Sequence, residues 1–378
     1  MNCRLATKSD LSKLESMYEK IIENMNNQNI KIWHQYYPFD EFEFDIENGN
    51  LFVLENSEDI ICAFAVTNEN DASRNFKWND PNAKAVYLSR LGVNTNYLKQ
   101  GFGTIAIEHL KRIAIKRNAS AIRLMVAIEN IPATNLYLKN GFRKVDGISE
   151  EFAECLNKTI TEYGYEFLIK KQSPEISKFF QEILSLESLK PAEEITIIKS
   201  KNPILLTSIH SMMQSHKPAE TFTRELALYL AKKHNISCMI KNIDTGIDPN
   251  KTDDDSFKNS LNQFINDNNI SLILDLHGAR KERPFDVELG TMNNLSADFS
   301  TIMELKEAFE ENDLSNVELN NPFKGGKLTQ SAFFNTNAEI IQIEINQKFR
   351  SFDNPELIYK LANCLEIFIE QYLSINKK

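Results

Sequence analysis

No Cys-x-x-Cys pair occurs among the five scattered cysteines, Cys3, Cys62, Cys155, Cys238 and Cys364. That spacing excludes a cysteine-rich zinc module, and a chain this long has little need of a disulfide framework. Each cysteine reads as a small buried hydrophobe. No stretch approaches the roughly 20 unbroken apolar residues that span a bilayer. The opening MNCRLATKSDLSKLE has no charged-then-apolar leader, so the expectation is a cytoplasmic chain without a membrane partner. Positive charge is also short, since the net charge is −10, which argues against nucleic acid as a partner.

What is present is an ordinary globular composition, 42% hydrophobic and 25% charged, spread over 378 residues. That length exceeds one hydrophobic core, so two domains are expected. In the first part, strands are predicted at 3–6, 51–55, 60–66, 85–93 and 121–127, with closing strands that end at 165–171. Helices are predicted from Ser9-Asp10, over 104–117 and over 132–139. Residues 172–194, polar-edged with a proline near each end, read as a helical linker between domains 1–171 and 195–378. Beyond Pro191, short continuously apolar runs alternate with helices: ITIIK, ILLTSI, SCMI, SLILDL and EIIQIEI. Such runs indicate a sheet covered on both faces. No internal repeat is found.

The segment Tyr97-Leu98-Lys99-Gln100-Gly101-Phe102-Gly103-Thr104 lies between a strand and a long amphipathic helix. Glycines admit an anion close to backbone N–H groups, and the helix N-terminus favours phosphate. Alone this is a weak sign, because glycines also make turns. A second segment, ENIPATNLYLKNGFRKV (129–145), follows the next strand. Together, in this order and separation, LGVNTNYLKQGFGT and ENIPATNLYLKNGFRKV resemble the two cofactor motifs of the GNAT N-acetyltransferases over roughly residues 1–171. The resemblance implies acetyl-CoA as cosubstrate, its pyrophosphate cradled by the amides of Gln100, Gly101, Phe102, Gly103 and Thr104. It also implies main-chain contacts to the pantetheine and acetyl group from Leu91 and Val93, and a contact from Asn130. Tyr137 stands where the family often has the tyrosine that protonates the departing thiolate; otherwise it is a half-buried helix tyrosine. Leu98 departs from the Arg or Gln usual at that position, a loss that Lys99 or Gln100 can offset; a degenerate acetyltransferase is the other outcome. Trp33, Tyr36, Tyr37 and Asp40 either line the acceptor wall or form a packed helix corner.

Four of the six histidines follow residue 200, and His210 and His277 close apolar runs. Ligand crevices of open α/β sheets lie at the carboxyl ends of strands, so both are candidate site residues. His216 lies near enough to His210 to compete. Glu344 stands within IIQIEIN, where an unpaired carboxylate is costly, and Asp275 shares a strand face with His277. Glu220 is placed at the start of a helix, as a ligand or as a cap. Two histidines, a carboxylate and a separate glutamate base are the set a catalytic zinc hydrolase needs. Arg280 and Arg283 are positioned to pair with a substrate carboxylate, whereas Arg350 reads as solvated surface charge.

LLTSIHSMMQSHKPAETFTRELA, DPNK (248–251), LDLHGARKERPFDVELGT, NPFKGG (321–326) and IIQIEINQKFR resemble the N-formylglutamate amidohydrolases, relatives of the zinc carboxypeptidases, over roughly residues 195–375. The resemblance implies zinc at His210 and His277, Glu220 as third ligand and Glu344 as general base. The first histidine lacks a close His-x-x-Glu pair, and Lys251 replaces a frequent arginine. The expected architecture is α/β: a GNAT fold, then a carboxypeptidase-like α/β/α domain with a mixed sheet. The expected function is acetyl transfer to a small-molecule amine plus zinc-dependent hydrolysis of an acylated amino acid or peptide. The rival is an acetyltransferase whose second domain is a non-catalytic metal- or ligand-sensing module.

Overall fold

The computed structural model describes residues 2–56, 59–170, 173–187, 193–211, 220–243, 245–252, 255–351 and 354–375. Two compact units divide the chain, Met1–Lys171 and Gln172–Lys378, each with its own sheet. No described helix is long and apolar enough to cross a membrane.

The first unit runs β1 (Asn2–Leu5), α1 (Leu11–Asn27), α2 (Phe39–Glu47), β2 (Leu51–Glu55), β3 (Ile60–Thr67), β4 (Phe76–Lys77) and β5 (Ala85–Val93). It continues with α3 (Phe102–Lys116), β6 (Ala121–Ala127), α4 (Ile131–Lys139), β7 (Arg143–Ala153) and β8 (Lys158–Leu168). The strand order is β1-β2-β3-β5-β6-β8-β7-β4. β3 is buried along nearly its whole length, and Leu14, Tyr18 and Ile21 of α1 pack into the same core as Ala63 and Ala65. Among the described residues of this unit only β5 and β6 pair in parallel, and they do so just from Ala85↔Ala121 to Leu88↔Leu124. Beyond Leu88, β5 follows β3 through a bulge, with Arg90 at φ 55°, while Met125–Ala127 of β6 stay with β8. The two central strands therefore splay apart. Tyr18 pins the bulge by donating its hydroxyl to the Arg90 carbonyl at 2.6 Å. Gly92 makes that reach feasible, because a Cβ there would fall 2.8 Å from the Tyr18 ring.

The second unit runs α5 (Pro174–Glu187), β9 (Ile195–Ile198), β10 (Ile204–Ser208), α6 (Thr223–His234), β11 (Ser237–Lys241), α7 (Ser256–Asp267) and β12 (Leu272–Ala279). It ends with β13 (Val287–Gly290), α8 (Phe299–Glu310), β14 (Val317–Leu319), α9 (Lys327–Asn335), β15 (Glu339–Asn346) and α10 (Pro355–Ile375). The strand order is β14-β13-β15-β12-β10-β11-β9, a mixed sheet in which β15, β12, β10 and β11 are parallel. Along one face, Leu205, Ile273 and Ile340 join the core beneath α7 and α9. Two and four residues further on, the same face carries Thr207, Asp275, His277, Gln342 and Glu344, since side chains alternate along a strand. One sheet face thus changes from core to site toward the strands' carboxyl ends.

The expected linker over 172–194 is corrected in part. Its helix, α5, is amphipathic and buries Phe179, Phe180, Ile183 and Leu184. Phe179 sits edge-on to Tyr229 of α6 and Tyr359 of α10, so α5 is a packed layer of the second unit. β13 and β14 were not expected; each is short and interrupted by a carboxylate, which hides it from a reading by apolar runs.

Candidate active sites in the two units

In the first unit, Gly101 adopts φ 88° as the N-cap of α3, and nothing lies within 4 Å of where its Cβ would be. At the start of α3 the Phe102 and Gly103 amides precede any intrahelical acceptor, as at any helix start. Phe102 turns its ring into the core against Tyr97, leaving only its backbone for a ligand. Gly103 lets α3 approach α4, since a Cβ there would come 3.0 Å from Leu136. The Thr104 amide closes a turn onto the Gly101 carbonyl. Gln100 and Leu98 are exposed, and Gln100 donates to the Asn96 carbonyl. Leu91 and Val93 lie half-buried along the splayed part of β5.

Tyr137 of α4 is buried, and burial, followed by the nearby Cys62, raises its phenol pKa. It therefore keeps its proton at neutral pH. Cys62 pairs with Val93, which puts Tyr137 beside the splay. Asn130 acts locally, since its side-chain oxygen accepts from the Ala133 amide and caps α4. Of the proposed acceptor wall, Trp33 packs on Tyr18 at 5.5 Å, Tyr37 is half-buried, and Tyr36 and Asp40 are exposed.

In the second unit, His210, Glu220 and His277 are all buried, and one donor atom from each lies within 4.8 Å of the others. His210 Nε2 meets Asp248 Oδ1 at 2.8 Å, and His277 Nε2 meets Asp275 Oδ2 at 2.8 Å. Each outer nitrogen faces a carboxylate, and the two Nδ1 atoms face each other 3.2 Å apart. Glu220 closes the triangle at 3.2 Å from His210 Nδ1 and 3.4 Å from His277 Nδ1. Burial opposes the charged form of both histidines. Asp248 and Glu220 nevertheless raise the His210 pKa, and Asp275 and Glu220 hold His277 well above the usual histidine value. Glu220, despite its burial, is kept well below the usual carboxylate range by both imidazoles. Three electron-pair donors converging in a buried space call for a cation, so the residues fit a metal ion.

Glu220 is not within a helix as expected. It sits in the turn before α6, its amide donating to the His210 carbonyl at 2.9 Å and its carboxylate accepting from the Gly278 amide at 2.8 Å. This turn stands in for the missing His-x-x-Glu spacing. His216 lies outside the described residues.

Glu344 is the register partner of His277 on β15, and Gln342 Nε2 donates to its Oε1 at 2.7 Å. Across β15 in the other direction, Glu288 of β13 pairs with Glu344. Glu288 is fully buried, and burial pushes its carboxyl up to about 7. The amides of Phe323 and Asn321 oppose that shift, and the Glu344 charge adds to it. Arg283 is exposed, lies 5.0 Å over the Phe323 ring, and is close enough to act on Glu288 electrostatically. Arg280 is exposed, and Lys251 lies 3.5 Å from Asp248.

The expectation for Arg350 is corrected. It is buried, and its guanidinium donates to the carbonyls of Ile345, Thr221 and Ala279 at 2.9–3.0 Å. It ties the Glu220 turn to β12 and β15. Sequence reasoning also missed Asp248, Gln342 and Glu288 as parts of the site. DPNK and QIEI contain the first two, yet only the tertiary contacts reveal what they do.

Residues 14–142 match the acetyltransferase (GNAT) family, and residues 255–349 match N-formylglutamate amidohydrolase. The second match takes in His277, Glu288 and Glu344 and leaves out His210 and Glu220. The chain is 35% identical over 109 residues to the Drosophila melanogaster protein called "Probable N-acetyltransferase san", a stretch that is 28% of this chain and 55% of that one. The chain thus spans about half the length of this curated relative. Among solved structures, a GNAT-family acetyltransferase of Streptococcus agalactiae is 15% identical, with 45% of this chain and 96% of that one covered at a TM-score of 0.37. A ribosomal-protein-alanine N-acetyltransferase of Brucella melitensis is 17% identical, with coverages of 44% and 99% and a TM-score of 0.35. The chain therefore carries a GNAT acetyltransferase domain in its first unit and an N-formylglutamate amidohydrolase-like domain in its second.

Proposed function

We propose that the chain is a bifunctional enzyme: it transfers acetyl from acetyl-CoA to an amine and, at a separate zinc site, hydrolyses the amide of an acylated amino acid or peptide. The transferase half is supported by the β5–β6 splay beside the glycine-capped start of α3. The amides of residues 100–104 would bind the pyrophosphate, and the main chain at Leu91 and Val93 would hold the pantetheine and acetyl carbonyl. Tyr137, kept protonated by burial, would give its hydroxyl proton to the leaving thiolate.

One observation carries the hydrolytic half: the Nδ1 atoms of His210 and His277 converge with the Glu220 carboxylate in a buried space. These three residues would hold a zinc ion, which when bound would supply Lewis-acid activation near neutral pH. Asp248 and Asp275 orient the imidazoles through their outer nitrogens. Glu344, oriented by Gln342, takes a proton from water on its carboxylate and passes it to the departing amine. Arg283, on the rim, pairs with a substrate carboxylate. Metal analysis of the purified protein, with a screen of N-acyl amino acids for release of free amine, tests this half. Zinc bound without turnover would instead support a sensing module. The same protein titrated with acetyl-CoA in a calorimeter tests the transferase half.

A further inference from the structure

Side chains alternate along β8, so Ile160, Glu162, Gly164 and Glu166 share one face of the first unit's sheet. Glu162 is the register partner of Ala127 on one side and of Ser149 on the other. Ala127 ends β6, the strand that β5 leaves after Leu88, so Glu162 lies across from the end of β6, which borders the splay. On this face Ile30, Ile32 and Ala127 form an apolar cluster, with Trp33 and Ile160 packed against it. Burial raises the Tyr37 pKa, and Glu162 is close enough for its charge to add to that.

Other buried carboxylates nearby are matched. Glu166 pairs with Arg123 at 2.9 Å, and Asp45 pairs with Arg90 at 2.5 Å. Glu162 has no such match among the described residues. It is half-buried, and burial together with the neighbouring Glu151 disfavours its charge. A carboxylate half-buried beside an apolar cluster carries a desolvation cost that an arriving cation would offset. The charge that acts on it, Glu151 on β7, is also negative, and Arg90, which acts on Tyr37, is already bound to Asp45.

We infer that Glu162 receives the ammonium group of the acetyl acceptor, which is a primary amine carried on an apolar group. The apolar part packs on Trp33, Ile32 and Ile160, and the ammonium turns toward the carboxylate and the splay. This inference rests on the acetyltransferase reading and adds the substrate class to it.

The full-length protein, saturated with coenzyme A, is titrated with phenethylamine and with 2-phenylethanol, which has the same shape without the charge. The amine is expected to bind and the alcohol to bind at least about tenfold more weakly, the scale of one charge-assisted hydrogen bond. Glu162→Gln is expected to weaken the amine by a similar factor and to leave acetyl-CoA affinity unchanged. Equal binding of amine and alcohol to the native protein overturns the inference, and that comparison requires no variant. So does a Glu162→Gln protein that keeps full amine affinity, or a native protein that binds acetyl-CoA and no phenethylamine. A native protein that binds no acetyl-CoA removes the acetyltransferase reading first, and this inference with it.

Discussion

Glu344 stands between Ile343 and Ile345 in a strand buried on both faces, where a lone carboxylate would be expensive. It is tolerated because the neighbouring positions on its face, Gln342, His277 and Glu288, are polar as well. If it is the general base, Glu344→Gln should lower amide hydrolysis by about 10²–10⁴-fold while keeping zinc content and melting temperature. A stable, zinc-loaded and fully active variant would sink the proposed mechanism. Glu288 gives a separate pH prediction. Its native pKa, pushed up to about 7, lies above the roughly 4.3 of an unfolded glutamate. The native state therefore holds the proton more tightly, and that stabilisation is full below about pH 4.3 and lost as pH rises to 7. Glu288→Gln stays neutral throughout. In chelator-treated protein its stability relative to wild type should increase between pH 5 and 8, by on the order of 2–3 kcal/mol. A stability difference that does not vary with pH would show that Glu288 titrates normally.

At the scale of elements, the start of α3 depends on one backbone conformation. Gly101 at φ 88° occupies the left-handed region, where a side chain costs about 1 kcal/mol. Gly101→Ala should show that strain alone, as a modest loss of stability and of acetyl-CoA affinity. Gly101→Asp adds a carboxylate beside the site proposed for the pyrophosphate, and calorimetry should find binding abolished. Equal affinities for the two variants would remove the phosphate-loop reading. For α5 the sequence pattern and the packing diverge. Its prolines and polar edges are those of a connector, yet Phe180, Ile183 and Leu184 are buried against the second unit. An amphipathic helix looks the same in sequence whether its apolar stripe covers a core or awaits one.

At the scale of the molecule, each unit has its own sheet and its own candidate site. Purified protein should contain about one zinc per chain. Replacing both His210 and His277 with alanine should remove that zinc and leave acetyl-CoA binding unchanged, as metal analysis and calorimetry on the same sample would show. Zinc content that survives the double replacement would contradict the site assignment.

The sequence by itself pointed to an α/β chain with two families' motifs, located the main strands along the chain, and marked the glycine-bearing segment 100–104 that leads into α3. It also singled out His210, His277 and Glu344. These were legible because apolar periodicity, turn residues and motif spacing are local, and because a polar residue inside an apolar run is conspicuous. Only the tertiary structure decided that Glu220 joins the two histidines from a turn, ten residues after His210. It alone turned the two Nδ1 atoms toward each other and brought Asp248 from 38 residues away to the His210 Nε2. It likewise moved Arg350 from surface to interior and set Glu162 across from the end of β6. Those outcomes depend on strand register and on loops that close over long separations, and register is fixed by the packing of a whole sheet.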